Sequence, residues 1–323
     1  MSATEATEPT EAAQQRTPLR AKQRLGDIVF SRAALVSGSA ILLILALVAV
    51  FLVAQSLPAV VADPGDFIGK PASLWDYVWP LVFGTLWSAT LALIMALPLA
   101  VGIALFISHY APRRVAAFLG YIIDLLAAVP SVVYGLWGIG VLAPAVLPAY
   151  QWLTENLGFI PFFEGPVSGT GRTILTAAIV LGVMILPVMT AICREIFLQT
   201  PVLHEEAALA LGATRWEMIT MAVLPFGRPG IISGAMLGLG RALGETMAVA
   251  MVLSPQAIIT FALLQSANPN TIAANIALSF PESYGVNVNL LIFTGLVLFL
   301  ITLAVNSIAR YIVNRRKDFS GAN

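Results

Sequence analysis

The sequence is poor in charge. Only 11% of its 323 residues are Asp, Glu, Lys or Arg, while 59% are hydrophobic and the mean hydropathy is +0.88. A soluble domain carries about 25% charged residues, so a water-soluble globule is excluded and a polytopic membrane protein is implied. The 17 basic and 17 acidic residues cancel. No global field draws the chain to nucleic acid, and no nucleic-acid partner is expected. Cysteine occurs once, at Cys193, which rules out an intrachain disulfide and leaves a small apolar packing residue. Histidine occurs at His109 and His204 only, and there is no H-x-x-x-H or C-x-x-C pair to hold a metal. Lysine is confined to Lys22, Lys70 and Lys317. None lies in the G-x-x-x-x-G-K-[ST] pattern that cradles nucleotide phosphates, so the chain has no ATP site of that kind.

Long apolar runs are what the chain has in quantity. Residues 1–30 come before them as a polar tail, with Glu5, Glu8 and Glu11 followed by Arg16, Arg20, Lys22 and Arg24. This reads as a disordered segment with a basic patch against the membrane. Residues 31–79 hold a first span over 34–57 and an external loop with Trp75, Tyr77 and Trp79 as an interfacial belt. The run is too long for a signal-peptide core, so an uncleaved anchor is expected. Residues 80–316 carry five further spans: 80–108 with Pro98 inside, 115–147 broken at Pro130, 172–192 with Pro187 inside, 227–253, and 288–309. Residues 148–171 are expected outside as a loop, and 317–323 form a second tail. In 254–287 the run AIITFALLQSA is too short to cross, which leaves a dip back into the bilayer as an option.

With the amino terminus inside, all of the 17 basic residues but Lys70, Arg172 and Arg241 fall on the inner side. That bias sets six crossings with both termini cytoplasmic. The loop 200–226 is then cytoplasmic too.

That loop, PVLHEEAALALGATRWEMITMAVLP from Pro201 to Pro225, is the longest polar interruption that still reads as ordered. Thr200 can cap a helix with Pro201 in its first turn. Gly212 supplies a left-handed stop. Thr214 and Glu217 form a T-x-x-E capping box that opens a second helix, which Pro225 ends.

The span 227–253 is the unusual one. Gly230, Gly234 and Gly238 recur every four residues, and Gly240 and Gly244 repeat the interval on a neighbouring face. Such spacing lets membrane helices approach closely. On a continuous helix Gly234, Gly238, Arg241, Glu245 and Ala248 share one face. Arg241 and Glu245, at i and i+4, would then offset each other's cost in the bilayer. Two readings of the pair stand: a pathway or gating pair that meets an anion, and a structural salt bridge. Asp124 is a third acid in a span, on a face with Ala117, Tyr121, Ala128 and Ser131. It reads equally as a partner of Arg241 and as a structural acceptor for hydroxyl groups.

Glu206-Ala207-Ala208, three residues, Gly212, and then Leu224-Pro225 resembles the EAA loop of ABC importer permeases, with Ala222 where an isoleucine is usual. AVPSVVYGLWG at 128–138 and GRALGETMAVAMVL at 240–253 are similar to the phosphate-specific branch of that family, in particular its C-type permease subunit. The resemblance runs from about residue 25 to the end. It implies an all-α polytopic membrane protein of six transmembrane helices in the type I ABC importer permease fold. It also implies a bacterial inner-membrane location. The implied partners are a second homologous permease, two ATPase subunits docked on the EAA loop, and an external phosphate-binding protein. ATP and Mg would sit on the ATPase and no cofactor on this chain, which would not itself be an enzyme.

Two rivals are weighed against this. An ion-coupled secondary transporter using Asp124 and Glu245 would suit intramembrane acids, but no inverted repeat of the kind such carriers often show is visible. An intramembrane enzyme would need paired catalytic groups, and none are evident.

Overall fold

The computed structural model describes residues 25–317 of the chain. The expected acidic tail, its basic patch at Arg16, Arg20, Lys22 and Arg24, and the last residues of the carboxyl tail lie outside the described residues. The described residues fall into two compact units, divided after Val50 within the first helix, α1 (Leu25–Val61). Over Val29 to Val50 the side chains of α1 are exposed except for Ala49, as an apolar helix in lipid would be. In the second unit Ala59, at the end of α1, packs with Phe67 and Leu290.

The second unit is helical. It comprises α2 (Leu74–Leu105), α3 (Arg113–Ala127), α4 (Ser131–Trp137), α5 (Ala143–Leu157) and α6 (Ile174–Leu198). There follow α7 (Val202–Ala210), α8 (Arg215–Met218), α9 (Leu224–Leu243), α10 (Met247–Val252), α11 (Ile272–Ser279) and α12 (Val286–Lys317). A short parallel pair joins β1 (Pro255–Gln256) to β2 (Asn268–Pro269). Among the described residues six helical stretches are long and apolar enough to cross a membrane: Val29–Val61, Leu74–Tyr110, Ser131–Leu157, Ile174–Leu198, Arg215–Leu243 and Val286–Ile312.

At the centre stands α6. Some 67% of its apolar window is buried, against 0% for the first span, as expected of a helix that is hydrophobic all round. On α2, Ala89, Ala92, Ala96 and Ala100 are buried in one core with Ala177, Leu181, Met184 and Ile185 of α6. Small side chains at helical spacing let the two backbones close up. On the other side α9 meets α6 through glycine. A Cβ on Gly227 would lie 2.5 Å from the Phe197 ring, and one on Gly230 would collide with Ile196. Gly234 lies over Cys193, and Gly238 over Met189. Gly240 and Gly244 do not share this role: a Cβ on Gly240 would meet no other part of the protein within 4 Å, and Gly244 ends α9.

Several expected boundaries shift, and proline explains most of them. The third crossing is 131–157 and not 115–147. Pro130 caps α4, and the residues before it leave the helix. Residues 113–127 form the separate helix α3, which is not among the helices long enough to cross. Trp152 therefore belongs to α5 and not to an external loop. Trp75, Tyr77 and Trp79 lie in the first turns of α2, whose amino end Ser73 caps by accepting the Asp76 N–H. Pro201, not Thr200, caps α7.

Pro225 does not end a helix. It sits in the first turn of α9, directly after a π turn at Ile219–Val223 that joins α8 to α9. Two more π turns, Phe106–Tyr110 and Gly138–Leu142, end two residues before Pro112 and Pro144. In all three the residue just before proline donates its N–H five residues back: Ala111 to Phe106 O, Ala143 to Gly138 O, Leu224 to Ile219 O. Proline lacks an N–H and its ring crowds the carbonyl four residues earlier; a widened turn moves that carbonyl aside.

The α6–α9 contact makes a stability prediction. Gly230→Val would place a Cβ 2.7 Å from the stiff Ile196 Cβ, and overpacking of this kind costs about 1–3 kcal/mol. The unfolding midpoint of the purified protein in detergent should fall, whereas Gly240→Ala should leave it unchanged or higher. Equal midpoints for Gly230→Val and the wild type would mean the two helices are not in close contact.

Candidate functional site

The glycine-rich span breaks at Gly244. Arg241 lies in the last turn of α9, Gly244 follows its end, and Glu245 precedes α10. The expected i, i+4 pair therefore does not form: no ion pair joins Arg241 to Glu245 among the described residues. The cause is local. Glycine favours leaving the helix, and the buried Glu245 carboxylate accepts the Ala248 N–H at 3.0 Å, satisfying an orphan donor in the first turn of α10. Glu245 caps a new helix instead of continuing the old one.

The other end of α10 is held by Arg172, which the sequence reading left as an external charge. Its guanidinium donates to the carbonyls of Met251 (3.2 Å), Val252 (3.3 Å) and Leu253 (2.7 Å). A cation at a helix carboxyl terminus also suits the dipole. The fully buried Asn268 ties this corner to the core. Its Oδ1 accepts the Ile174 N–H at 2.9 Å and its Nδ2 donates to Arg172 O and Ser266 O. The Thr85 hydroxyl of α2 accepts the Ile272 N–H at the start of α11. Asn270 O fills the space where a Gly84 side chain would be. Residues 254–285 are thus fastened to the core by polar side chains.

Arg241 stands just before the break. It lines a groove of about 620 Å³ together with Ser233, Met236 and Gly240 of α9 and Asn306 and Arg310 of α12. It makes no hydrogen bond or ion pair among the described residues. Among the described residues no carboxylate lines the groove. Asp124 is elsewhere. It is exposed on α3, outside the crossing helices, and its nearest cation is Arg194, at 4.0 Å. The expectation of a third acid within a span fails, because Pro130 separates α3 from the crossing that follows.

The loop 200–226 forms a second candidate region. Helix α7 buries no residue, Gly212 adopts φ +85°, and Thr214 and Glu217 make the reciprocal capping box. Glu206, Ala207, Gly212 and Pro225 are exposed, whereas Ala208 and Leu224 turn toward a small core with Met218, Ile219 and Val223. Large apolar side chains stand out from this polar loop: Leu203, Leu211, Trp216 and Met221 are each more than half exposed. One tie joins the loop to the end of the second crossing. His109 Nε2 lies 3.3 Å from Glu205 Oε1, and Ser108 Oγ lies 2.6 Å from His109 Nδ1. Nothing in the sequence pairs residues 96 positions apart. Asn268 and Arg172 were missed for the same reason.

Residues 96–318 match the model of the binding-protein-dependent transport system inner membrane components. The chain belongs to that family. Curated relatives extend over most of its length. The phosphate transport system permease protein PstC 2 of Mycobacterium tuberculosis is 45% identical over 300 residues, covering 90% of this chain and 92% of that protein. The PstC of Xylella fastidiosa is 42% identical over 240 residues, covering 72% of each. That of Haemophilus influenzae is 34% identical over 293 residues, covering 87% and 91%. Among solved structures, an inward-facing conformation of the MetNI methionine ABC transporter aligns with TM-score 0.47 at 18% identity, covering 73% of this chain and 94% of that one. This member of the permease family is thus a multi-pass membrane protein.

The caps on α10 predict where stability resides in this permease. Arg172→Ala removes three charge-assisted hydrogen bonds and should destabilise by at least about 2 kcal/mol. Arg241→Gln, which breaks no bond, should leave the midpoint of thermal unfolding in place. If Arg172→Ala unfolds at the wild-type temperature, the guanidinium does not hold α10.

Proposed function

We propose that the chain is the membrane-spanning permease subunit of an ATP-driven importer of inorganic phosphate. The observation that carries this reading is the 45% identity over 92% of a protein named as a phosphate transport permease. In this reading the fold is that of a type I importer permease in the bacterial inner membrane, with both termini cytoplasmic. It works beside a second homologous permease, two ATPase subunits and an external phosphate-binding protein. ATP and Mg belong to the ATPase, and this chain carries no cofactor and does no covalent chemistry.

The groove beside Arg241 is the candidate translocation surface. An arginine exposed to hydrocarbon costs about 2.5–3.5 kcal/mol on insertion scales, so a polar face here calls for water, substrate or a partner subunit. A guanidinium without a carboxylate beside it suits a tetrahedral oxyanion, which it can grip with two parallel hydrogen bonds. Glu245 contributes as the cap that ends α9 next to Arg241, and Gly230, Gly234 and Gly238 hold α9 against α6. The ion-coupled alternative has lost its support: Asp124 lies outside the crossing helices, and the Glu245 carboxylate is engaged by the backbone.

For the loop 200–226 we place the ATPase on the face made by Glu206, Ala207, Gly212 and the exposed Leu203 and Leu211. Exposed apolar side chains rimmed by charge are the usual mark of a protein contact. Ala208, Leu224 and Pro225 connect that face to the crossings.

Two experiments test these assignments. Arg241→Gln should assemble with its partners and lower phosphate uptake at least about ten-fold, a loss of about 1.4 kcal/mol. Adding Glu245→Gln should not restore it, since the two side chains are not paired. Uptake near the wild-type level would remove Arg241 from the pathway. Gly212→Val, forced into a left-handed backbone that excludes branched residues, should insert normally but retain less ATPase on purification. Undiminished retention of the ATPase would end the docking assignment.

A further inference from the structure

Arg241 is one of two arginines on its groove, and the second, Arg310, comes from α12, the last crossing. Resting on the phosphate-import reading, we propose that Arg310 of α12 is a second anion-receiving residue on the same pathway. The permeant oxyanion then passes between two guanidiniums.

The groove is lined along α9 from Ile232 to Arg241. Nine steps of α-helix, from residue 232 to 241, span about 13 Å. Arg241 marks one end of that stretch. Consecutive crossings run in opposite senses, because α10 and α11, at six and eight residues, are too short to cross between them. The late residues of α12 therefore lie beside the early part of α9, which puts Arg310 at the end away from Arg241.

The chemistry of the lining is one-sided. Arg310 and Asn306 are one turn apart on the same face of α12. The Ser233 hydroxyl already donates to Pro229 O at 2.9 Å, so the donors facing the groove are the two guanidiniums and the Asn306 amide. No acid lines the groove, and neither arginine has an ion-pair or hydrogen-bond partner among the described residues. Two guanidiniums with no carboxylate beside either keep the groove positive at both ends, and a phosphate oxyanion is attracted to each in turn. A single arginine would bind at one point; two make a track along which the anion exchanges one partner for the next.

A phosphate group can also come from a lipid headgroup, since basic residues near a helix end interact with anionic lipid. The test therefore uses the complete transporter in vesicles of phosphatidylcholine alone and in vesicles with phosphatidylglycerol added. It compares Arg310→Gln, Arg310→Lys and Arg241→Gln. Phosphate uptake and binding-protein-stimulated ATP hydrolysis are measured together. Arg310→Gln is expected to keep ATP hydrolysis and to lower uptake per ATP at least about ten-fold, about 1.4 kcal/mol, in both kinds of vesicle. Arg310→Lys should recover most of it.

A defect in Arg310→Gln seen only when phosphatidylglycerol is present would assign the residue to lipid and overturn the proposal. Wild-type uptake by Arg310→Gln with Arg241→Gln inactive would overturn it too, while leaving the pathway through Arg241 intact. Wild-type uptake by both would remove the pathway reading as well. If Arg310→Gln does not assemble, Arg310→Cys with Cys193→Ala can be assembled and then modified in place. A cationic thiol reagent should restore uptake and a neutral one of similar size should not; equal uptake after either would overturn the proposal.

Discussion

Inside a bilayer every backbone N–H and C=O that leaves a helix has to find a partner within the protein. The irregular parts of this molecule follow from that constraint. Where α9 ends, the Glu245 carboxylate takes the Ala248 N–H and the Arg172 guanidinium takes three carbonyls at the far end of α10. Where the chain returns to begin α11, the Thr85 hydroxyl accepts the Ile272 N–H, and Asn268 uses both ends of its amide on backbone groups. The charged and amide side chains that look most functional in this region are largely engaged in making broken helices tolerable. Arg241 and Arg310 stand out because they are not engaged in this way.

Close packing and polar satisfaction divide the work between the two sides of α9. One side carries glycines at Gly227, Gly230, Gly234 and Gly238 and rests on Phe197, Ile196, Cys193 and Met189. The other carries Ser233, Gly240 and Arg241 and opens on the groove. The π turn at Ile219–Val223 leads directly into α9, so a displacement of that turn would reach the groove-lining face through a helix already packed on α6. The exposed loop 200–226 lies at the start of that same segment, which connects the proposed docking face to the proposed pathway through one packed helix.

Much of the architecture was legible in the residues. Six apolar runs, the capping box at Thr214 and Glu217, the left-handed Gly212 and the close-packing glycines Gly230, Gly234 and Gly238 all depend on local spacing, and local spacing can be read directly. The Ala89, Ala92, Ala96, Ala100 series carried the same kind of signal and passed unread because alanine is common in any apolar run. The break at Gly244 was missed because a helical wheel presumes continuity: the Arg241–Glu245 pair exists only on a helix that the chain does not form. Asp124 was misplaced for a related reason, since the break at Pro130 was put inside one span and not at the boundary of the next. The ties of Arg172, Asn268 and His109 are long-range, and no periodicity predicts them.

The three π turns have an effect on numbering. Each adds a residue to its turn without adding a turn, so side chains beyond it are rotated by about 100° relative to the count from before it. In the crossing Arg215–Leu243, residues before position 219 and after 223 do not fall on the faces that uninterrupted periodicity would assign them. A relative that lost one residue in this turn together with its proline would regain plain α-helical phase and keep the same face toward α6. Turn and proline are therefore expected to be gained or lost together, and a gap of one residue opposite such a turn is the signature of a π turn absorbed, not of a misaligned helix.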